Sequence, residues 1–352
     1  MINLPCGYFN TRYEQVFAVM RTKTQWGMFL GLLVMLIALP HILSTHILTI
    51  VNLMLIMIVA VHGLNIVTGY CGQINFGQAA FMAVGAYSSA LLMNHFGLSF
   101  WLCLPMAGII AAIIGALVGM PAVRVKGLYL ALITLAVQYI IIYLIETPLQ
   151  SITGGQWAMH TSAPKLWGIE FNTEKEFYYL IVAICALMTF FAKNITRTKT
   201  GRNLVAVRDN DLAAEVLGVN VFRTKTLAFA ICSFYAGIAG SLWAHYHQSF
   251  TTADFSFMQS IWYVGMLVVG GMGSTLGPIL GTAVITGLDQ MVFQFTPVMT
   301  RLFPEATPAQ LSSIGAFIFA AVIIVFLVWE PRGLAHRWEI FKSSYRLWPF
   351  AY

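Results

Sequence analysis

GYCGQINFGQAAF, residues 69–81, falls between two apolar runs, ILTIVNLMLIMIVAVHGLNIV (47–67) and FMAVGAYSSALLM (81–93). Crossing a bilayer core of about 30 Å takes roughly 20 apolar residues in a helix, so the first run reads as one span and the second as the body of the next. The insert is of another kind: Gly69, Gly72 and Gly77 alternate with Gln73, Asn75 and Gln78. Glycine permits backbone conformations and close approaches that larger residues forbid. Non-helical backbone at membrane depth survives only where protein or a water-filled cavity satisfies its polar groups. One reading is therefore a bent element lining a translocation path, with the amides satisfying the backbone or facing a polar solute. The other is a cytoplasmic turn followed by helix-packing glycines such as Gly77 and Gly85.

The whole chain has the same character. Of its 352 residues 59% are hydrophobic and only 9% charged, with a mean hydropathy of +0.78. A soluble domain carries about 25% charged residues, so an ordinary cytosolic enzyme is excluded. The expected class is an all-α polytopic membrane protein with about ten transmembrane helices, at 27–44, 47–67, 77–94, 99–120, 127–146, 177–192, 227–246, 257–270, 276–296 and 311–329. The expected organisation is an N-terminal arm (1–26), one permease domain (27–330) carrying a cytoplasmic loop (193–226), and a C-terminal tail (331–352). No apolar h-region precedes the first span and no small-x-small site follows it, so that span is expected to be its own insertion signal.

Charge orients the spans. Sixteen of the nineteen Lys and Arg fall on the face that receives the arm, PAVRVKG (121–127), the 193–226 loop and the tail; only Lys165, Lys175 and Arg301 fall on the other. By the positive-inside rule the first face is cytoplasmic, both termini included. The net charge of +6 thus reflects topology and carries no nucleic-acid inference. The long outer segment 147–176 divides the chain into five spans and five, the arithmetic of an inverted-topology repeat. Against it, the two Gly-rich interruptions, GYCGQINFG and GGMGSTLG (270–277), follow spans two and eight, which are not equivalent positions.

The 193–226 loop contains TKTGRNLVAVRDNDLAAEVLGVNVFRTKT (198–226). Asp209, Asn210 and Asp211 are N-cap types, LAAEVL forms a short helix, and Gly218 stands where a left-handed residue would end it. Ala213 and Ala214 beside Leu212, Val216 and Leu217 make a compact knob with one apolar side. Such a knob suits a groove on another protein, or the surface of membrane lipid. Ionisable groups inside spans default to functional candidates. His62 and Asp289 both read first as satisfied structural groups, with His62 kept as a path candidate, and the pair in AHYHQ (244–248) is poorly placed to bind metal. The five scattered cysteines offer neither a disulfide framework nor a zinc site. No G-x-x-x-x-G-K-[ST], H-E-x-x-H or G-x-S-x-G occurs, so no catalytic group, metal or cofactor is assigned.

GLNIVTGYCGQINFGQAAFMAVGAY, PAVRVKGLYLALITLA, GRNLVAVRDNDLAAEVLGVNVFRTKTLAFAICSFYAGIAGSLWA, VVGGMGSTLGPILG and WEPRGL together resemble the LivM-type permeases, membrane subunits of bacterial branched-chain amino acid ABC importers. The resemblance runs from about residue 50 to about 335. It implies a bacterial inner-membrane subunit that hydrolyses no ATP itself and works with a LivH-type sister permease, two ABC ATPases and a periplasmic solute-binding protein. The path candidates read from the residues themselves are Gly69, Gly72, Gln73, Asn75, Gly77, Gln78 and His62. The loop implies ATPase coupling through Arg202, Arg208, Asp209, Asp211, Leu212, Ala213, Ala214, Glu215, Leu217 and Gly218. The wider importer pattern there is Glu-Ala-Ala, three residues, then Gly; here Leu212 replaces the Glu, and the acidic residues fall at Asp211 and Glu215. The same resemblance covers importers of urea, short amides and aromatic carboxylates. An ion-coupled secondary transporter would need a coupling site, and lone His62 and Asp289 supply none. A mere membrane scaffold would have no use for the broken element or the knob.

Overall fold

The computed structural model describes residues 23–122, 125, 127–166, 169–171, 173–302, 317, 320–325, 328–330 and 332–347. Most of the predicted arm, Arg124 and Lys126, much of the predicted span 311–329 and the end of the tail lie outside the described residues.

The helices in chain order are α1 (Lys23–Ile42), α2 (Thr45–Leu64), α3 (Gln78–Phe96), α4 (Phe100–Ala122), α5 (Leu128–Glu146), a single turn α6 (Gln150–Thr153), α7 (Glu174–Arg197), α8 (Lys199–Asp209), α9 (Asp211–Val216), α10 (Val221–His247), α11 (Phe257–Gly270), α12 (Gly277–Leu302) and α13 (Leu334–Leu347). Every predicted span within the described residues coincides with one of them. Among the described residues, the segments long and apolar enough to cross a membrane are Thr45–Tyr70, Phe100–Pro121, Leu128–Glu146, Glu174–Arg197 and Val221–His247; Leu30–Ile42 and Phe257–Gly270 are shorter apolar helices. The protein is a polytopic helical membrane protein. α3 falls outside that set because Gln78, Ser88, Ser89, Asn94 and His95 lower its mean hydropathy. Its buried face runs through Ala79, Ala80, Ala83, Ala86 and Ala90, small residues that suit helix contact rather than lipid.

α10 is the central element and packs against α4, α3 and α2. Close approach demands glycine here: a Cβ at Gly85 would collide with the Gly237 backbone, and one at Gly240 with Met82. Polar side chains fasten the outer layer. Tyr235 Oη donates to Met188 O at 2.9 Å, joining α10 to α7, and Tyr178 Oη donates to Leu36 O at 3.0 Å, holding α1 on α7.

The all-α expectation needs one correction. The 147–176 segment contributes β1 (Met159–His160), which pairs antiparallel with β4 (Ser249–Phe250), and a small hairpin of β2 (Lys165–Leu166) and β3 (Ile169–Glu170). Segments that leave their helices have unpaired backbone groups, and two-residue ladders satisfy some of them. His245 helps: its ring nitrogens bond Ser89 Oγ at 2.9 Å and Ser162 O at 3.0 Å, which ties this end of α10 to α3 and to the segment.

Candidate functional site

α2 does not end where its apolar run ends. It runs into a π-helical turn, Asn65–Tyr70, and the chain then travels without regular structure to Gly77 before α3 begins. A π-turn widens the helix and frees carbonyls from the ordinary ladder. Gly72 follows with φ +71, and a Cβ there would lie 2.8 Å from Arg208 Cγ, so conformation and space both require glycine.

The start of α3 is a buried helix N-terminus, whose backbone N–H groups have no partner of their own. Side chains from neighbouring segments supply them. Thr134 Oγ1 accepts from Phe76 N at 3.0 Å, Asn75 Oδ1 from Gly77 N at 2.9 Å, Ser260 Oγ from Ala79 N at 2.9 Å and Gln138 Oε1 from Ala80 N at 2.8 Å. Gln138 Nε2 in turn donates to Phe255 O at 2.8 Å, and Gln78 Nε2 to Ala60 O at 2.7 Å. Cys232 Sγ lies 3.1 Å from Gln78 Oε1.

The second Gly-rich interruption meets the first. Asn65 Nδ2 donates to Ser274 O at 2.7 Å, and Asn65 Oδ1 accepts from Gly273 N at 2.9 Å. One amide therefore clamps the turn between α11 and α12 onto the end of α2. The WEPRGL turn completes the junction, because Gly271 packs against the backbone of Arg332 and Gly333. Around it lies a cavity of about 670 Å³, lined by Gly69, Gly72, Ile74, Arg208, Met272, Gly273, Arg332, His336 and Glu339. A second cavity, of about 590 Å³, lies towards the 249–257 end and is lined by Gln138, Tyr139, Glu146, Thr252 and Phe257. Phe76 packs edge-on to Phe257 at 6.3 Å, and Tyr139 lies 6.1 Å from the same ring.

These positions narrow the expectation of a path-lining element. Gly69 and Gly72 do border a cavity. Gln73, Asn75, Gly77 and Gln78 are buried; the Gln73 amide donates to Cys71 O, Asn75 accepts from Gly77 N, and Gln78 donates to Ala60 O in α2. His62 is also buried, with Nε2 at 3.1 Å from Thr189 Oγ1 on α7. Sequence reading missed Gln138, Thr134, Ser260, Asn65 and Ser274. Gln138 could have been found, since it is the sole amide in LYLALITLAVQYIIIYLIE, one turn beyond Thr134.

The loop forms the predicted short helix, α9. Asn210 alone is its N-cap, accepting from Leu212 N at 3.0 Å and Ala213 N at 3.1 Å; Asp209 closes α8 and Asp211 opens α9. Gly218 takes φ +85 at the stop. Ala214 is buried, whereas Leu212, Val216 and Leu217 are 70, 87 and 81% exposed. Ala213 and Glu215 are exposed beside them. Lys225 Nζ, on a side chain only 2% exposed, reaches Asp211 Oδ2 at 2.8 Å and pins α9 to α10. Arg208 turns the other way, donating from Nη1 to Gly69 O at 3.1 Å. Arg202 Nη1 reaches Arg197 O at 3.4 Å, a contact within the loop.

A buried, side-chain-capped helix break is thus clamped to a second break, and an exposed apolar knob stands on the adjoining loop. The family model for the permease component of branched-chain amino acid transport systems matches residues 46–327. The chain belongs to that permease family. The LivM high-affinity branched-chain amino acid transport permease protein of Escherichia coli (strain K12) is 30% identical over 336 residues, covering 89% of this permease and 75% of that protein. A probable LivM branched-chain amino acid transport permease protein of Methanocaldococcus jannaschii is 25% identical over 313 residues, 77% and 88% of the two chains. The autoinducer 2 import system permease protein LsrC of Enterobacter sp. (strain 638) is 29% identical over 205 residues, 54% and 57% of the two. No solved structure matches the permease. It is thus a multi-pass membrane permease component of a branched-chain amino acid ABC transport system, not itself an enzyme, which implies ATPase and binding-protein partners.

Proposed function

We propose that this permease forms part of the translocation path for branched-chain amino acids, beside a LivH-type sister permease, with two ABC ATPases docked below and a periplasmic binding protein delivering solute above. Residues 27–330 make the membrane domain, with ten spans, both termini cytoplasmic and an inverted five-plus-five plan. The arm 1–26 and tail 331–352 flank it. The 249–257 end is the outer one, and the face holding α8, α9 and the Gly69–Gly273 junction is cytoplasmic. The segregation of basic residues supports that orientation. Solute passes from the outer cavity, past the aromatic cluster of Phe76, Tyr139 and Phe257, to the inner cavity bordered by Gly69 and Gly72.

One observation carries the coupling assignment. The exposed apolar face of α9, with Leu212, Val216 and Leu217, stands on a helix held rigidly by the Asn210 cap and the Lys225–Asp211 pair. Leu212 takes the place of the acidic residue of the wider importer pattern, so docking through residues 202–218 rests on this apolar face.

The test is Ala213→Arg, which sets a cation among those side chains. An unpaired charge in a closed contact costs several kcal/mol, enough to weaken docking by orders of magnitude. Membrane abundance should stay normal while ATPase co-purification and leucine uptake are lost; Glu215→Gln should do much less. Wild-type uptake by Ala213→Arg with its ATPases attached would refute the docking assignment and favour a helix on lipid. Competition by isoleucine and valine, and none by urea, short amides or aromatic carboxylates, is expected of the substrate class.

A further inference from the structure

We propose that Arg208 is a strut that transmits movement of the α9 knob into the two clamped glycine breaks, a positioning residue for transport rather than an ATPase contact. The proposal rests on the coupling reading above. Its basis is where the side chain goes. Arg208 lies in the last turn of α8, two residues before the N-cap of α9, yet it leaves the α9 face and crosses to the end of α2. Its stem packs over Gly72, where a Cβ would stand 2.8 Å from Cγ. Its Nη1 donates to Gly69 O at 3.1 Å, and Gly273 is close enough that a Cβ there would lie 3.3 Å from the same nitrogen. Nε and Nη2 lie 3.1 and 3.0 Å from Asp209 Oδ1, which steadies the guanidinium fork.

Gly69 belongs to the closing π-turn, where carbonyls lack helical partners and a cation is favoured by the helix dipole. A planar, always-charged fork suits that place better than a flexible ammonium. Asn65, in the same turn, holds Gly273 N and Ser274 O. The chain of contact therefore runs α9, the Asn210 cap, Arg208, Gly69, Asn65 and the turn between α11 and α12. A shift of α9 driven by an ATPase displaces Arg208, and with it the carbonyl of one break and the amide clamp of the other. Both breaks border the inner cavity, so the strut places its opening under the control of the coupling helix.

The test uses the complete complex with its ATPases and solute-binding protein. Arg208→Ala is expected to reach the membrane and retain its ATPases at wild-type levels. Its leucine uptake should fall at least tenfold, and stimulation of ATP hydrolysis by solute-loaded binding protein should vanish. Arg208→Lys keeps one donor for Gly69 O and should recover at least a third of uptake. Independently, Met272→Cys in a background with the native cysteines replaced reports on the inner cavity, which Met272 lines. Its labelling rate should differ at least threefold between nucleotide-free and nucleotide-trapped complexes with Arg208, and by less with Lys in its place. Should Arg208→Ala accumulate poorly, that comparison still decides. Full coupling in Arg208→Ala, loss of its ATPases, a Lys variant no better than Ala, or an unaltered Met272→Cys response would each overturn the strut. Failure of the wild-type complex to import leucine would instead overturn the branched-chain amino acid reading of the substrate.

Discussion

At the scale of single residues, the polar side chains that matter are those standing in for a missing helical turn. Gln138 is the sharpest case: fully buried, it accepts from Ala80 N and Ser260 Oγ and donates to Phe255 O. Gln138→Leu keeps much of the volume but leaves Ala80 N and Phe255 O without that partner. Each unsatisfied buried group costs about 1–3 kcal/mol, so a destabilisation of roughly 2–6 kcal/mol is expected. The measurement is thermal unfolding of the purified complex, which should show a clearly lower midpoint; an unchanged midpoint would remove Gln138 from the support of the break. The insert's own amides were legible in the sequence as polar groups at membrane depth. Their direction was not, because Asn75 and Gln78 turn towards partners on α3 and α10 or the backbone of α2 that only the tertiary arrangement supplies. The direction of His62 was no more legible, its partner Thr189 lying 127 positions away.

At the scale of elements, composition located the helices well and their mutual contacts poorly. A run such as Phe100–Ala122 is a helix by apolar length alone, and α9 by its cap, its alanines and Gly218. The meeting of the two glycine interruptions, separated by 208 positions between Asn65 and Gly273, leaves no periodicity to read. Nor does the buried pair between Asp211 and Lys225, since charged residues in a loop are ordinarily solvated. That pair makes a prediction about α9. Asp211→Ala strands the Lys225 ammonium, 2% exposed, without its carboxylate; breaking a buried pair from one side costs about 3–5 kcal/mol. The consequence should stay local, loosening α9 from α10 while the spans remain inserted. Tryptic cleavage after Arg208 or Arg223 in membrane vesicles that expose the cytoplasmic face should accelerate at least tenfold, with leucine uptake reduced. Lys225→Met in the Asp211→Ala background removes the stranded charge and should recover much of the protection. Equal protease resistance in all these variants would mean that the α8–α10 turn is held by something else.

At the scale of the whole molecule, charge, connectivity and energy source have to agree. Side-chain contacts group the ends of the helices into two sets. Asn94 with His160, Thr161 with Gln248 and Thr252 with Glu146 form one set, at the end of α10, whereas Lys225 with Asp211, at the start of α10, Arg208 with Gly69 and Asn65 with Ser274 form the other. Lys175 opens α7 in the first set, and Lys199 follows the far end of that helix in the second. Lys342, in α13, belongs with the second set through the packing of Gly333 on Gly271. The proposed even number of spans with cytoplasmic termini predicts what an impermeant thiol reagent can reach. With the five native cysteines replaced, Lys175→Cys in intact cells should label, and Lys199→Cys and Lys342→Cys should label only after the membrane is opened. Lys199→Cys is the internal control, because its shielding follows from the length of α7 alone. Lys342→Cys tests the region 303–333, where the predicted tenth span lies. Labelling of Lys342→Cys from outside, with Lys199→Cys still shielded, would mean an odd number of crossings between the two. The packing of Gly333 against Gly271 would then sit on the wrong side of the membrane from Arg208, and the junction of glycine breaks could not face the ATPases.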